Sequence, residues 1–493
     1  MKKFLSGLRG KTLFFLFITT IALTQTSCNR PFGKGSGPRT KHVSSWLNWN
    51  YIFKEGTDSA TRRLTIDSIV AAVGNVRSIP ADTSKQGPVG IYNNRQIAAR
   101  PLTPLTTYLS DYLRGVIRAR NGFYLDSVQV HFCSCHDTLL WNLTGNLNIG
   151  GSGQSAPVSP PPPGPHASGG AVSTVDSNGA TARSQLPPPL LDSSRVDFDG
   201  RPRIAENMVL AIIDTGIDST LFSPGLYSQL FASDGSGTVN FIPGLPSTSY
   251  KDDDPVRHGS AVAAIALSAF YGESVKAEQY KLPRLMALKA LDSTGRGSTF
   301  SVSCALSYAI SHKANLINLS LGYPRAQDQV IDHFLQLSAK RRIPVVAAAG
   351  NTPGEHKKTL CDTHVNWHHE LRPGKLFFPA CQSIDQDYCI ISVTGLSNPD
   401  LPCRYQNFSS RYIGIGVVNK SFPNSCCGFS PAFISSGYRL DGSSFATPVI
   451  SGQLGFKMIS SGSQSDAAAY IQLLQPLNSS HRLLTWLGEY IIY

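Results

Sequence analysis

The sequence lacks any run of Lys and Arg interleaved with aromatic residues, although Lys and Arg outnumber Asp and Glu 44 to 32. That absence excludes the basic, base-stacking surface that nucleic-acid binding requires, so the formal charge of +12 reads as a solvated basic face. Charge of either sign is sparse, at 15% of the chain against 41% hydrophobic residues. A chain of 493 residues with that balance can bury a large core and has room for two or three domains. The apolar run from Leu13 to Leu23 is too short to cross a bilayer. No second Asp-Thr-Gly or Asp-Ser-Gly stands at a plausible distance from Asp214-Thr215-Gly216, which argues against a paired-aspartate peptidase. Recurrent zinc spacing is missing as well. Cys133, Cys135 and His136, or Cys361 with His364, His368 and His369, offer ligand types, and His364 with His368 would share a helix face. Neither set has a recurrent spacing, so no metal is expected.

What is present begins at the N-terminus. Met1-Lys2-Lys3 with Arg9 and Lys11, the apolar run, and then Thr26-Ser27-Cys28 have the three-part form of a secretory signal. The small residues ahead of Cys28 resemble a bacterial lipoprotein site. That likeness implies removal of residues 1–27 and acylation of Cys28, which would hold the chain at a bacterial membrane; otherwise the chain is secreted. An exported chain with ten cysteines is expected to contain disulfides. With Cys28 removed from the set an odd number remains, so at least one thiol stays free. Cys304, inside the apolar-periodic run Phe300 to Ile310, is the expected buried structural thiol. Cys361, Cys381, Cys389, Cys403, Cys426 and Cys427 crowd into one stretch, and their pairing is open.

Composition divides the chain further. Residues 28–45 read as a polar tether, and residues 46–148 as a small α+β domain. Within it, Leu109, Tyr112, Leu113 and Val116 predict a helix over Thr106 to Arg120, and Tyr124, Val128, Val130 and Phe132 alternate as in a strand. Residues 149–195, with Pro160 to Pro163 and Pro187 to Pro189, form a Pro/Gly/Ser-rich linker that cannot bury a core. Over 196–493, strands are expected at Met208–Ile213, Arg284–Leu291, Leu316–Leu319 and Pro344–Ala349. Helices are expected at His258–Ala269, Ser301–His312 and Gln327–Lys340. Apolar strands alternating with helices predict an α/β fold, a parallel sheet with helices on both faces. Sites in such sheets form at the C-terminal ends of strands, where Asp214, the Ser320-Leu321-Gly322 turn and Asn351 fall.

Three segments carry chemistry: Val209 to Gly216 around Asp214, Arg257 to Ala263 around His258, and Gly442 to Pro448 around Ser444. A serine hydroxyl needs a base within reach before it attacks a carbonyl. His258 would be that base, and Asp214 would fix its tautomer and stabilise its cation. A helix is expected to start at Ser444, with Pro448 tolerated in its first turn. Between His258 and Ser444, the apolar run from Ile343 ends in Gly350-Asn351. In this order and composition, residues from about 205 to 460 resemble a subtilase, a subtilisin-like serine peptidase. The resemblance implies a subtilisin-like sheet and an exported serine endopeptidase. Asp214, His258 and Ser444 would be its triad, and Asn351 its oxyanion donor, acting with the Ser444 N–H.

It also implies a peptide substrate bound as an added strand, along Ser320, Leu321 and Gly322 and, further upstream, along Gly295, Arg296 and Gly297. Arg296 would then either select acidic residues before the cut or stand as a solvated rim residue. Many subtilases place a bare Gly ahead of a Tyr-Pro pair at the bottom of the specificity pocket. Phe377-Phe378-Pro379 puts Phe377 there, which predicts small residues, Ala or Ser, before the scissile bond. Other departures are milder: Ser443 replaces the usual Thr and Ala261 a frequent second His. No cofactor is required; calcium stays open, but Ser223 stands where many members carry its Asp ligand, so that particular site is not expected. For residues 46–148, a pro-region and a separate binding module both remain open.

Overall fold

The computed structural model describes residues 44–53, 58, 60, 105–108, 123–132, 140–149, 203–351 (except 223, 232–235, 244, 256 and 325–326), 367–418 (except 399–400 and 404), 428–429, 440–474 and 489–492. In the N-terminal region, strands β1 (Ser44–Phe53), β2 (Leu105–Tyr108), β3 (Phe123–Phe132) and β4 (Leu140–Ile149) form an antiparallel sheet in the order β2-β1-β4-β3. The alternating residues Tyr124 to Phe132 lie in β3, whose register against β4 shifts between Leu125 and Ser127. The helix expected over Thr106–Arg120 is corrected at its start. Thr106, Thr107 and Tyr108 belong to β2, opposite Ile52, Tyr51 and Asn50 of β1. Two β-branched residues and an aromatic one favour extended chain there over the helical spacing that follows. The rest of that stretch, Cys28, Cys133, Cys135, His136 and the linker beyond Ile149 lie outside the described residues.

From Arg203 strands and helices alternate. They are β5 (Arg203–Asp214), α1 (Pro224–Leu230), β6 (Thr238–Asn240), α2 (His258–Lys276), β7 (Lys281–Lys289), α3 (Thr299–Ser311), β8 (Leu316–Leu319) and β9 (Tyr323–Pro324). There follow α4 (Gln329–Lys340), β10 (Val345–Ala348), β11 (Phe377–Phe378), β12 (Ile390–Asn398), β13 (Leu401–Pro402), β14 (Ile415–Val418), β15 (Gly428–Phe429) and β16 (Leu440–Asp441). Last come α5 (Ser443–Ser461), α6 (Ala467–Gln472) and β17 (Glu489–Ile492). The main sheet has the order β17-β14-β12-β10-β8-β5-β7-β6, with β13 antiparallel on β12 and every other pair parallel.

Successive residues of a strand point to opposite faces, and here both faces are covered. Leu210 and Ile212 of β5 and Leu285 and Ala287 of β7 pack with α2 and α5. Their neighbours Ala211, Ile213, Met286 and Leu288 pack with α3 and α4 on the other side. This is the α/β architecture expected, built from the strands and helices foreseen between Met208 and Ala349 with shifted ends. The strands β6, β12, β14 and β17 extend it beyond what the sequence reading foresaw.

Small residues bring α2 and α5 together. Their contact runs along Ala-rich α2, and at Gly452 of α5 an added Cβ would sit 2.8 Å from the Cβ of Ala269 and the nitrogen of Phe270. The two helices begin at His258 and Ser443, so their close packing is what brings the two N-terminal ends together. Among the described residues no helix is long and apolar enough to cross a membrane.

The cysteine expectation needs one correction. Cys304 is buried, as its apolar neighbours require, but it is disulfide-bonded, as is Cys403. Among the described residues, the free buried thiols are Cys381 and Cys389. Apolar periodicity reports burial, and says nothing of oxidation state.

Candidate active site

Asp214 ends β5 and His258 opens α2, so a strand terminus and a helix terminus meet. Nδ1 of His258 lies 2.7 Å from Oδ1 of Asp214, and both side chains are buried. The carboxylate fixes the imidazole proton on Nδ1 and leaves the lone pair on Nε2. Burial by itself would lower the His258 pKa. The charge and hydrogen bond of Asp214, helped by the charges of Asp254 and Asp252, outweigh it and raise the pKa above the ordinary imidazole value. Arg257, just ahead of α2, is held in the left-handed region at φ 51 and pairs with the buried Asp218.

Ser444 lies in the first turn of α5, where backbone N–H groups have no partner within the helix. The next residue, Phe445, packs its ring 4.9 Å from that of His258. Nε2 of His258 and Oγ of Ser444 are buried and have no hydrogen-bond partner among the described residues. Orphaned buried polar atoms are rare, and here they are a base and a hydroxyl on adjacent helices. Pro448 falls past the first turn of α5 and not within it as expected. Its missing N–H would have served the carbonyl of Ser444, and Oγ of Ser320 donates to that carbonyl instead, at 2.7 Å.

Asn351 follows β10, half-buried, with its amide orientation set by its neighbours. The N–H of Ser443 donates to Oδ1 of Asn351 at 3.0 Å and Oγ of Ser443 lies 3.3 Å from the same atom, which leaves Nδ2 as the outward donor. Gly442 stands between this donor and the hydroxyl: a Cβ on it would be 3.0 Å from Nδ2 of Asn351 and 3.3 Å from Oγ of Ser444. Only glycine, here at φ 137, keeps that point clear of a side chain. An atom near there would meet both a nucleophile and a donor of the kind that stabilises an oxyanion.

The model of the subtilase family matches residues 205–463, more than half of the chain. The chain belongs to the subtilase family. It is similar to the thermophilic serine proteinase of Bacillus sp. (strain AK1), at 30% identity over 142 residues, 29% of this chain and 32% of that one. It is also similar to subtilisin BL of Lederbergia lenta, at 30% over 144 residues, 29% of this chain and 47% of the relative. The matched stretch thus spans less than half the length of these curated relatives. A crystal structure of a cold adapted subtilisin-like serine proteinase is 16% identical, with a TM-score of 0.38 and coverage of 62% of this chain and 98% of that one.

In this subtilase, Ser320, Leu321 and Gly322 follow β8 and are buried beside Ser444. Nδ2 of Asn318 donates to Oγ of Ser320 at 3.0 Å, and Oγ of Ser451 donates to Oδ1 of Asn318 at 2.8 Å, which ties β8 to α5. Phe377 in β11 pairs with Pro324 of β9 and is buried. Its ring fills the space beside two glycines. A Cβ on Gly350 would come 2.5 Å from its Cε1, and a Cβ on Gly322 would run into the same edge.

The upstream segment differs from the strand expected through Leu291. β7 stops at Lys289, and the Asp292 carboxylate closes a turn by accepting from the N–H groups of Thr294 (2.8 Å) and Arg296 (3.1 Å). Gly295 takes φ 72 in this turn, Arg296 is exposed and Gly297 is buried against Leu291 and Ala290. Partial burial would raise the Asp292 pKa, but bonds from Thr294 and Arg296 hold it below the usual value. His368 and His369 lie on the short turn Trp367–His369, one exposed and one buried. Ser223, Cys361 and His364 lie outside the described residues. Ser443 was noted in the sequence only as a replacement for Thr, and Thr215, Asp252, Ser260 and Lys289 were not foreseen: Thr215 bonds Asp252 and the Gly259 N–H, Ser260 bonds Asp252, and Lys289 bonds the Thr215 carbonyl.

Proposed function

We propose that the chain is an exported serine endopeptidase that hydrolyses peptide bonds by acyl transfer through Ser444. The 2.7 Å contact between His258 Nδ1 and Asp214 Oδ1 carries this reading, because it makes Nε2 the available lone pair beside the helix that carries Ser444. The Ser444 hydroxyl gives its proton to Nε2 as Oγ attacks the substrate carbonyl, and Asp214 stabilises the imidazolium. The new oxyanion accepts from Nδ2 of Asn351 and from the Ser444 N–H at the positive end of α5. Collapse expels the amine with the proton from His258 and leaves an acyl ester on Ser444. Water then repeats the sequence with His258 as base and releases the acid. The chemistry needs no cofactor.

The substrate is a peptide bound as an added strand along Ser320, Leu321 and Gly322. The Phe377 ring beside Gly322 and Gly350 supports a shallow pocket for the residue before the cut, which suits Ala or Ser. Arg296, exposed on the turn, favours acidic residues upstream. Residues 28–45, 46–148 and 149–195 serve as tether, accessory module and linker before the peptidase domain, and Cys28 as the acylated anchor at the bacterial envelope. Release of the protein from membranes by Cys28→Ser tests the anchor; wild-type protein found wholly soluble after processing overturns it.

A fluorophosphonate probe tests the chemistry. It is expected to label the wild-type chain on Ser444 and to leave Ser444→Ala unlabelled, while the variant keeps its fold. Labelling that persists in the variant refutes the assignment.

A further inference from the structure

Three consecutive acids, Asp252, Asp253 and Asp254, precede α2, and each has a different partner. Oδ1 of Asp254 accepts the His258 N–H at 3.3 Å. Oδ1 of Asp253 lies 2.5 Å from Nζ of the buried Lys289, which also donates to the carbonyl of Thr215 at 2.5 Å. Asp252 is buried. Its Oδ1 accepts the Thr215 hydroxyl at 2.9 Å and the Asp254 N–H at 3.3 Å. Its Oδ2 accepts both the N–H and the hydroxyl of Ser260, at 2.8 and 2.6 Å.

Backbone N–H groups orient the hydroxyls of this network. Oγ1 of Thr215 accepts the Gly259 N–H at 2.8 Å, and Oγ of Ser260 accepts the Asp218 N–H at 2.9 Å. Each hydroxyl therefore turns its own proton to Asp252, which receives four donors. An ionised carboxylate satisfies all four; a neutral acid would direct its proton at one of them. The chain positions matter as much as the chemistry. Thr215 follows Asp214, and Gly259 and Ser260 follow His258, so one carboxylate holds the segments carrying both members of the hydrogen-bonded pair.

We propose that ionised Asp252 is a positioning residue that sets Asp214 against His258, and that its negative charge helps His258 hold a proton. Its bearing on turnover, though not on geometry, rests on the peptidase reading above. The charged groups around Asp252 are Asp214 at the end of β5, Asp218 on the turn that follows, Asp253 and Asp254 on its own segment, Arg257 just ahead of α2, His258 at its start, and Lys289 on β7. Arg257 neutralises Asp218 and Lys289 neutralises Asp253. Burial pushes the Asp252 pKa up to about 6 against the bonds from Ser260 and Thr215, so the carboxylate is ionised at neutral pH.

Titration of the His258 imidazole by NMR is the test, carried out on Ser444→Ala protein so that no self-cleavage intrudes. Adding Asp252→Asn is expected to lower the His258 midpoint by about half a pH unit or more, because a charge that favours the imidazolium is gone. With Ser444 intact, Asp252→Asn is expected to lower kcat, counted per probe-reactive site, by about tenfold or more with KM nearly unchanged, as loss of alignment requires. An unchanged midpoint overturns the charge role, and a loss carried by KM overturns the positioning role. Ser260→Ala removes one of the four donors to Asp252, together with the acceptor of the Asp218 N–H, and keeps the charge. It is expected to lower kcat while leaving the His258 midpoint in place, and wild-type kcat in that variant also overturns the proposal. Failure of the peptidase reading would show separately, as wild-type protein that takes no probe, while the NMR midpoint still decides the role of Asp252.

Discussion

The hydroxyl of Ser320 donates to the carbonyl of Ser444 at 2.7 Å, the acceptor that Pro448 leaves without its helical partner. A residue expected to offer only its backbone to substrate thus uses its side chain to seat the helix that carries Ser444. Ser320→Ala leaves that buried carbonyl unsatisfied, at a cost of about 1–3 kcal/mol in stability. Thermal unfolding measures this loss, and kcat is expected to fall with it; an unshifted Tm would mean that the bond contributes nothing.

Phe377 and the glycines at 322 and 350 lead to a specificity switch. Forcing a large side chain against the ring costs about 1–3 kcal/mol. Wild-type protein is expected to prefer peptides with Ala or Ser before the cut, and Phe377→Gly to gain activity toward Phe and Leu at that position. Peptides differing only there provide the measurement. Strong cleavage after Phe or Leu that is the same in both proteins would show that the ring does not limit the pocket.

Asn351 acts in the proposed reaction only when charge develops on the substrate oxygen. Asn351→Ala is therefore expected to lower kcat by about 100- to 1,000-fold with little change in KM, the size of loss that removing such a donor causes in subtilisin. Steady-state kinetics on one peptide distinguishes this from a binding role, in which KM would carry the change.

The pH dependence follows from His258. It must be neutral to accept the Ser444 proton, and its surroundings raise its pKa. Activity is therefore expected to be complete above that raised pKa and to fall as pH drops through it, starting on the neutral side of the ordinary imidazole midpoint. A kcat/KM profile checks the sign: an acid limb centred below the ordinary value would mean that desolvation outweighs the acidic neighbours.

Asp214, His258, Asn351 and Ser444 were legible in the sequence because each sits at a strand or helix end with small neighbours that the local geometry demands. The positive φ of Gly442 and Gly350 is one example of such a demand. Their supporting network was not legible. Thr215, Asp252 and Ser260 are ordinary polar residues along the chain, and what joins them is the approach of residues 250–252 to the turn after β5. That approach is made by the Ile217–Lys251 bridge and by Gly216, where a Cβ would stand 3.1 Å from the nitrogen of Asp252.

Length and interruption explain the missed strands. β14 has only four residues, with Gly416 packed so closely on Leu396 that a Cβ would come within 2.5 Å. A short apolar run with a glycine inside it carries no periodicity to read. The apolar stretch runs past Lys289 to Leu291 in sequence, but the Asp292 side chain captures two backbone N–H groups and bends the chain into the turn that carries Arg296.

The packing of α2 on α5 also imposes an order in time. A chain made from its N-terminus carries Asp214 and His258, in β5 and α2, while the helix bearing Ser444 has yet to be synthesised. Until α5 docks along the alanines of α2, base and hydroxyl are strangers on one polymer. On the proposed reading, cutting power would therefore arrive last, after every strand between the two helices has been made, and this order would spare the nascent chain from its own chemistry.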